Sequence, residues 1–263
     1  MAILPHPELI TRIQEIGTQK VSLSGVRLAV LAITAGAFIA LGGILSVTVG
    51  FGVPGIAAEN PGIKKLLSGL TFPIGLLLIV MFGGELFTGN NAVLMPGCYK
   101  GHFSISRVLM NWTGVWLFNF AGALLFTYFF VYMSGLTASA PYKGAIIGIA
   151  QAKVALPFTT AFVKGVAANW CVCLAVWLCL MVKTLPAKVL ACWIPVGAFV
   201  ILGYEHSIAN MFFIPAGMLE GADISIADMM RNLIPVTLGN IVGGMLLVGT
   251  LYHFLHDTKK PAE

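Results

Sequence analysis

Six long apolar runs divide the chain, at about Leu23–Phe51, Leu66–Met81, Val108–Met133, Phe158–Val182, Lys188–Gly203 and Leu233–Phe254. A helix of about 20 apolar residues crosses a bilayer, so the runs predict six transmembrane helices. Two further apolar pieces, Asn91–Cys98 and Asn210–Leu219, are too short to span. Each continues a run interrupted by polar, glycine-rich sequence, Phe82-Gly-Gly-Glu-Leu-Phe-Thr-Gly-Asn90 and Leu202-Gly-Tyr-Glu-His-Ser-Ile-Ala-Asn210. The pattern predicts two helices broken inside the bilayer. Ahead of the first run, Leu9, Ile10, Ile13 and Ile16 fit a short amphipathic helix lying on the membrane surface, within a segment spanning 1–22. Pro5, Pro7, Glu8, Arg12 and Glu15 make that segment unlike a signal peptide.

The two halves repeat. Glu85 and Asn90 are five apart, as are Glu205 and Asn210. Asn111, Asn119 and Gly122 follow in steps of eight and three, and so do Asn232, Asn240 and Gly243. Glu85 to Asn111 is 26 residues and Glu205 to Asn232 is 27. Three spans per half is an odd number, so the second half enters the membrane from the opposite side. The reading is an all-α membrane protein, a single domain over 23–255, with inverted repeats at about 23–133 and 158–255 and a tail at 256–263. In such folds the site lies at mid-membrane where broken helices meet. Irregular backbone at that depth must be buried in protein or line a cavity.

Composition supports the same solvent. Of 263 residues, 58% are hydrophobic and only 10% charged, where a soluble domain carries about 25%. The net charge of +5 comes from basic residues scattered between apolar runs, which excludes a nucleic-acid surface and fits loop charges that set orientation. One side carries Arg12, Lys20, Arg27, Lys100, Arg107, Lys183, Lys188, Lys259 and Lys260; the other carries Lys64, Lys65, Lys143, Lys153 and Arg231. That bias predicts cytoplasmic termini. The five cysteines, Cys98, Cys171, Cys173, Cys179 and Cys192, are an odd number inside apolar runs and read as packing residues, with no disulfide framework or metal pair.

Candidate chemistry rests on few residues. Glu85, Glu205 and His206 are ionisable and sit mid-run, where charge is expensive and function is the default suspicion. The glutamates occur at the same point of both halves, which favours a structural role: a carboxylate accepting orphan backbone N–H groups and holding the break, with Asn90 and Asn210 beside it. His206 stands opposite Leu86, and Thr88 opposite Ile208, so symmetry explains neither. A histidine that titrates near neutrality can donate to an anion or pass it a proton. Lys153 and Lys164 suggest a basic vestibule that concentrates anions, against the plain alternative of interfacial lysines reaching for water. Asn119, Asn169 and Asn240 either line a path or bind helices together. Phe72, Leu76, Leu86, Phe87, Val172 and Phe199 are, from composition alone, ordinary core residues.

The stretches Glu85-Leu-Phe-Thr-Gly-Asn90 and Tyr204-Glu-His-Ser-Ile-Ala-Asn210 resemble the formate/nitrite transporter family. Asn169-Trp-Cys-Val-Cys-Leu-Ala-Val-Trp177 and Asn232-Leu-Ile-Pro-Val-Thr-Leu-Gly-Asn240 extend the match over nearly the whole chain. The resemblance implies an aquaporin-like protomer with its own pore, a homopentamer in the plasma membrane, and passage of small monovalent weak-acid anions without any cofactor. It implies an outer constriction of Phe72, Phe87 and Val172 and an inner one of Leu76, Leu86 and Phe199. Between them His206 and Thr88 would face the ion, with Asn169 and Asn240 as polar partners near the histidine and Lys153 in the vestibule. The constriction set resembles formate members, whereas Lys164-Gly165 before Asn169-Trp170 resembles nitrite or hydrosulfide members.

A bare anion facing two apolar rings is costly to desolvate, so the expected mechanism hands it a proton at His206 and lets the neutral acid cross. A neutral-solute channel would share the architecture, but neither break contains Asn-Pro-Ala. An intramembrane enzyme lacks support, because His-Glu-x-x-His is absent and no aspartate lies within a span.

Overall fold

The computed structural model describes residues 3–257. Of the expected C-terminal tail, residues 258–263 lie outside the described residues, as do Lys259 and Lys260. Among the described residues the chain is helical, apart from one isolated antiparallel bridge between Ile3 and Val182. Six helical stretches are long and apolar enough to cross a membrane: Gly25–Phe51, Pro61–Phe82, Ile105–Tyr132, Phe158–Met181, Leu185–Leu202 and Ile226–His256. Several begin earlier than the apolar runs, because capping residues and polar first turns belong to a helix without belonging to its apolar stretch. Ser225 and Asp228 show this, closing a reciprocal capping box ahead of the last span.

Each half has one broken helix. In the first, α5 (Ile74–Phe82) stops at Gly83 and α6 (Phe87–Val93) resumes after a short extended link. In the second, α11 (Leu185–Leu202) stops at Gly203 and α12 (Ser207–Leu219) resumes. Gly83 at φ 72° and Gly203 at φ 69° take the left-handed turn that other L-residues resist, and they end their helices in the same manner. The N–H of Gly84 closes on Ile79 O at 2.9 Å, and that of Tyr204 on Phe199 O at 3.0 Å. The architecture is two inverted three-helix repeats, an aquaporin-like protomer.

One close helix crossing knits each half. The spans α2 (Gly25–Phe51) and α8 (Ile105–Phe126) meet where Gly122 lies against the Ile33 carbonyl. The spans α10 (Phe158–Met181) and α13 (Ile226–Gly244) meet where Gly243 lies against the Val166 carbonyl. At either glycine a Cβ would overlap that oxygen, so only glycine permits the approach.

The N-terminal helix departs from expectation. Helix α1 (His6–Val21) does not lie free on a surface: Leu9, Ile10 and Ile13 are buried against Ala92, Val93, Cys173, Trp177 and Val248. The same amphipathic stripe that would have entered lipid has found a protein face to cover, which an apolar periodicity cannot distinguish. A helix that the sequence reading passed over, α9 (Tyr142–Val154), is its counterpart in the second half. Ile13 and Ile146, and Gly17 and Ala150, stand 133 positions apart and are all buried. Each repeat therefore opens with a short docked helix.

Candidate conduction pathway

Each broken helix is held by the same set of hydrogen bonds, drawn from the same positions of the two halves. In the first break the Phe87 N–H donates to Asn119 Oδ1 at 2.9 Å, and Asn119 Nδ2 donates to Ala32 O at 2.7 Å and Glu85 O at 2.9 Å. In the second, the Ser207 N–H donates to Asn240 Oδ1 at 2.8 Å, and Asn240 Nδ2 donates to Gly165 O at 2.8 Å and Glu205 O at 3.0 Å. Glu85 N–H reaches Leu31 O at 3.4 Å, and Glu205 N–H reaches Lys164 O at 3.3 Å. A primary amide offers one acceptor and two donors, the set needed to satisfy an unwound strand segment on both sides. The backbone polarity of each break is thus met by one asparagine and one carbonyl from neighbouring helices.

The carboxylates do something other than accept backbone N–H groups. Glu85 takes Lys20 Nζ on Oε1 and Asn90 Nδ2 on Oε2, both at 2.7 Å. Glu205 takes Lys153 Nζ at 3.0 Å on each oxygen and Asn210 Nδ2 at 2.6 Å. Asn90 and Asn210 pass the chain on to Asn111 and Asn232, at 2.9 and 2.7 Å. The expectation that the glutamates cap orphan N–H groups is corrected here: Asn119 of α8 takes the Phe87 N–H and Asn240 of α13 takes the Ser207 N–H, and each carboxylate receives a lysine and an asparagine side chain instead. Lys20, a loop charge by its sequence pattern, is the cation of the first break. Its signal was available, since it stands five residues before α2 as Lys153 stands five before α10.

Two cavities approach the breaks from opposite sides. One, of about 700 Å³, is lined by Lys20, Arg27, Leu31, Leu76, Glu85 and Leu86. The other, of about 450 Å³, is lined by Lys153, Lys164, Phe72, Phe199, Glu205 and His206. They are called the α1-side and α9-side cavities below. Counterparts line both: Lys20 matches Lys153, Leu31 matches Lys164, Glu85 matches Glu205 and Leu86 matches His206. Of the residues expected to form the inner ring, Leu76 and Leu86 line the α1-side cavity, whereas Phe199 lines the α9-side cavity. There it meets Phe72 edge-on at 5.7 Å and stacks on the His206 ring at 5.9 Å. Phe87 and Val172 are buried and line neither cavity.

Between the cavities His206 and Thr88, one from each break, are joined at 2.9 Å from Nε2 to Oγ1. Both are buried, at 2% and 0% exposure. His206 is also the N-cap of α12, its Nδ1 accepting the Ala209 N–H at 3.1 Å. That bond sets the neutral tautomer: with Nδ1 an acceptor, the proton sits on Nε2 and points to Thr88, whose own hydroxyl proton is left free to donate. Asn169 is placed behind Thr88, its two Nδ2 protons shared among the Thr88 carbonyl at 3.1 Å, Asn91 Oδ1 at 3.1 Å and Asn240 O at 2.6 Å. Cys173 adds an S–H to the same Thr88 carbonyl at 3.2 Å. Asn169 and Asn240 therefore brace the site, and neither lines a cavity.

The sequence model of the formate/nitrite transporter family matches residues 7–254. The chain is 39% identical over 246 residues to a protein of Methanothermobacter thermautotrophicus described as a probable formate transporter, covering 88% of this chain and 89% of that one. It is 37% identical over 253 residues to the formate channel BtFdhC of Bacillus thuringiensis, covering 96% and 95%. Among solved structures it resembles an FNT family ion channel, with a TM-score of 0.86 and 31% identity over 94% of this chain and 98% of that one. It also resembles a pentameric formate channel with formate bound, with a TM-score of 0.76 and 32% identity over 88% and 97%.

Proposed function

The chain belongs to the formate/nitrite transporter family, and from that premise we propose that it carries small monovalent weak-acid anions, formate foremost, with a proton joining the ion at His206. Its relatives and structural neighbours are transporters and channels, not enzymes. The protein is multi-pass; on this reading it is a homopentamer of the plasma membrane with both termini cytoplasmic, each protomer holding one pore. The pentameric neighbour and the lysine and arginine bias support that assembly and orientation.

The observation that carries the reading is the buried His206–Thr88 pair standing between two basic-mouthed cavities. An anion entering the α9-side cavity passes Phe72 and Phe199 and meets the free Thr88 hydroxyl proton. Beyond lie Phe87, Val172, Leu76 and Leu86, where a charge would lose its hydration without replacement. The α12 N-terminus beside His206 adds positive potential that holds the anion before it is neutralised. Proton transfer begins from the imidazolium, whose second proton comes from solvent in the α9-side cavity that His206 lines and is carried on Nδ1 at the expense of the Ala209 contact. The ring then gives its Nε2 proton to the carboxylate, leaving neutral imidazole and neutral acid, and the acid crosses the apolar stretch.

Uptake of formate, nitrite, hydrosulfide and acetate into proteoliposomes, measured from pH 5 to 8, tests this. Formate uptake is expected to exceed the others and to rise as pH falls, with His206→Asn losing the pH response. An unchanged pH response in that variant rules out transfer through the histidine, and absence of any anion flux rules out the whole reading.

A further inference from the structure

The two cavities are built from matched positions, which makes their differences informative. On the α1 side the charged residues are Lys20, Arg27 and Glu85, a formal +1. On the α9 side they are Lys64, Lys65, Lys153, Lys164 and Glu205, a formal +3. Most of that excess is already committed or remote. Lys153 is held by both oxygens of Glu205 at 3.0 Å. The Lys64 ammonium sits over the Phe51 ring at 3.9 Å, and Lys65 is exposed on the surface. Lys164 alone of the four is half-buried within a membrane span and, among the described residues, has no ion pair, side-chain hydrogen bond or ring contact.

Its place is fixed by the fold. The Lys164 carbonyl accepts the Glu205 N–H at 3.3 Å, so its backbone is tied to the residue that precedes His206. Its counterpart Leu31 makes the same carbonyl contact with Glu85 at 3.4 Å and lines the other cavity at the matching position. The backbone role is thus common to both halves, and only the ammonium is new. A half-buried cation with no partner is costly to hold in a span unless an anion visits it.

Resting on the functional reading above, we propose that Lys164 is the anion-capture residue of the α9-side vestibule, binding the permeating carboxylate before it reaches His206. Lys153, neutralised by Glu205, is structural in this respect. The two faces of the pore therefore differ in affinity: with Lys20 paired to Glu85, the uncommitted cation of the α1 side is the exposed Arg27, whereas that of the α9 side is half-buried beside the break, where it binds an anion more strongly.

The test is initial formate flux from each side of proteoliposomes of defined orientation, for the wild type, Lys164→Met and Lys164→Arg. Removing one unit charge a few ångströms from the ion in a half-aqueous vestibule changes its occupancy about tenfold. At equal pH and zero voltage, Lys164→Met is expected to raise the half-saturation concentration for α9-side entry about tenfold with the maximal rate from that side rising in proportion, to leave low-concentration flux from both sides unchanged, and to be rescued by Lys164→Arg. A side chain that mattered only for packing would lower low-concentration flux from both sides alike, and that outcome overturns the proposal, as does an unchanged half-saturation. Should Lys164→Met fail to assemble, crystals of the wild type soaked in bromide decide the matter. An anomalous peak beside Lys164 Nζ supports the inference, and bromide beside Lys153 without one at Lys164 overturns it. A wild type without flux of any weak-acid anion refutes the functional reading instead.

Discussion

Replacing Asn240 with alanine deletes one acceptor and two donors at once, leaving the Ser207 N–H and the Glu205 carbonyl without their partner, while the Gly165 carbonyl keeps its bond within α10. A buried polar group stranded in this way costs about 1–3 kcal/mol, so two imply roughly 2–6 kcal/mol before relaxation. Hydrogen bonds between membrane helices often measure only about 0.6 kcal/mol, because the side chains find other partners. That discount does not apply to an unwound backbone, which has no helix to return to and no lipid that can hydrogen-bond it. Water reaching Glu205 from the α9-side cavity recovers part of the loss, and we expect the lower half of the roughly 2–6 kcal/mol, a large share of the ~5–15 kcal/mol by which proteins are stable. Asn119→Ala strands the equivalent two groups of the first break, the Phe87 N–H and the Glu85 carbonyl, and is expected to cost the same. Thermal unfolding of the detergent-solubilised protein should show both variants falling by about 10 °C, and flux per folded molecule should fall in both. The reasoning fails if Asn240→Ala loses transport at undiminished stability while Asn119→Ala keeps it. That result would make Asn240 a pore residue and not a brace.

Three other substitutions probe separate parts of the structure. Gly122→Ala and Gly243→Ala each drive a methyl into a facing carbonyl and should destabilise by about 1–3 kcal/mol or more, whereas Gly144→Ala, with open space around it, should unfold at the wild-type temperature. Glu205→Gln keeps an acceptor for Asn210 but releases Lys153 into the α9-side cavity. Formate half-saturation from that side should then drop several-fold, and an increase would show that the pair, not its lysine, governs entry. Ile13→Asp places a charge where the side chain is fully buried against the bundle, and losing that apolar contact alone costs about 2–5 kcal/mol. Amide exchange should rise across residues 6–21 with the spanning helices still protected; uniform loss of protection would mean that α1 is integral to the fold.

Much of the candidate site was legible because it is written as departures from a repeat. Glu85-to-Asn90 and Glu205-to-Asn210 spacing marked the breaks, and Leu86 against His206 marked the asymmetry that a symmetric scaffold does not require. Partner choice was not legible. Lys20 and Glu85 are 65 residues apart, and Lys153 and Glu205 are 52 apart. No local pattern says which cation a buried carboxylate will take, since that depends on where α1 and α9 dock. Phe199 shows the same limit, because whether a ring faces one cavity or the other depends on where its helix stops relative to the pore.

The chain's apolar periodicity determined its solvent, its six crossings and the two points where helices cannot continue, because a bilayer demands a fixed length of apolar helix and tolerates irregular backbone only inside protein. The glycines at 83 and 203 determined the hand of each stop, a local property of φ. Tertiary structure decided the rest. It turned α1 from a lipid-seeking helix into a packed one, assigned Asn119 and Asn240 to the breaks, and set His206 against Thr88 across 118 residues. It also left Lys164, half-buried within a span, without a side-chain partner among the described residues. Those outcomes rest on distances between segments remote in sequence, and such distances exist only once the halves have closed on each other.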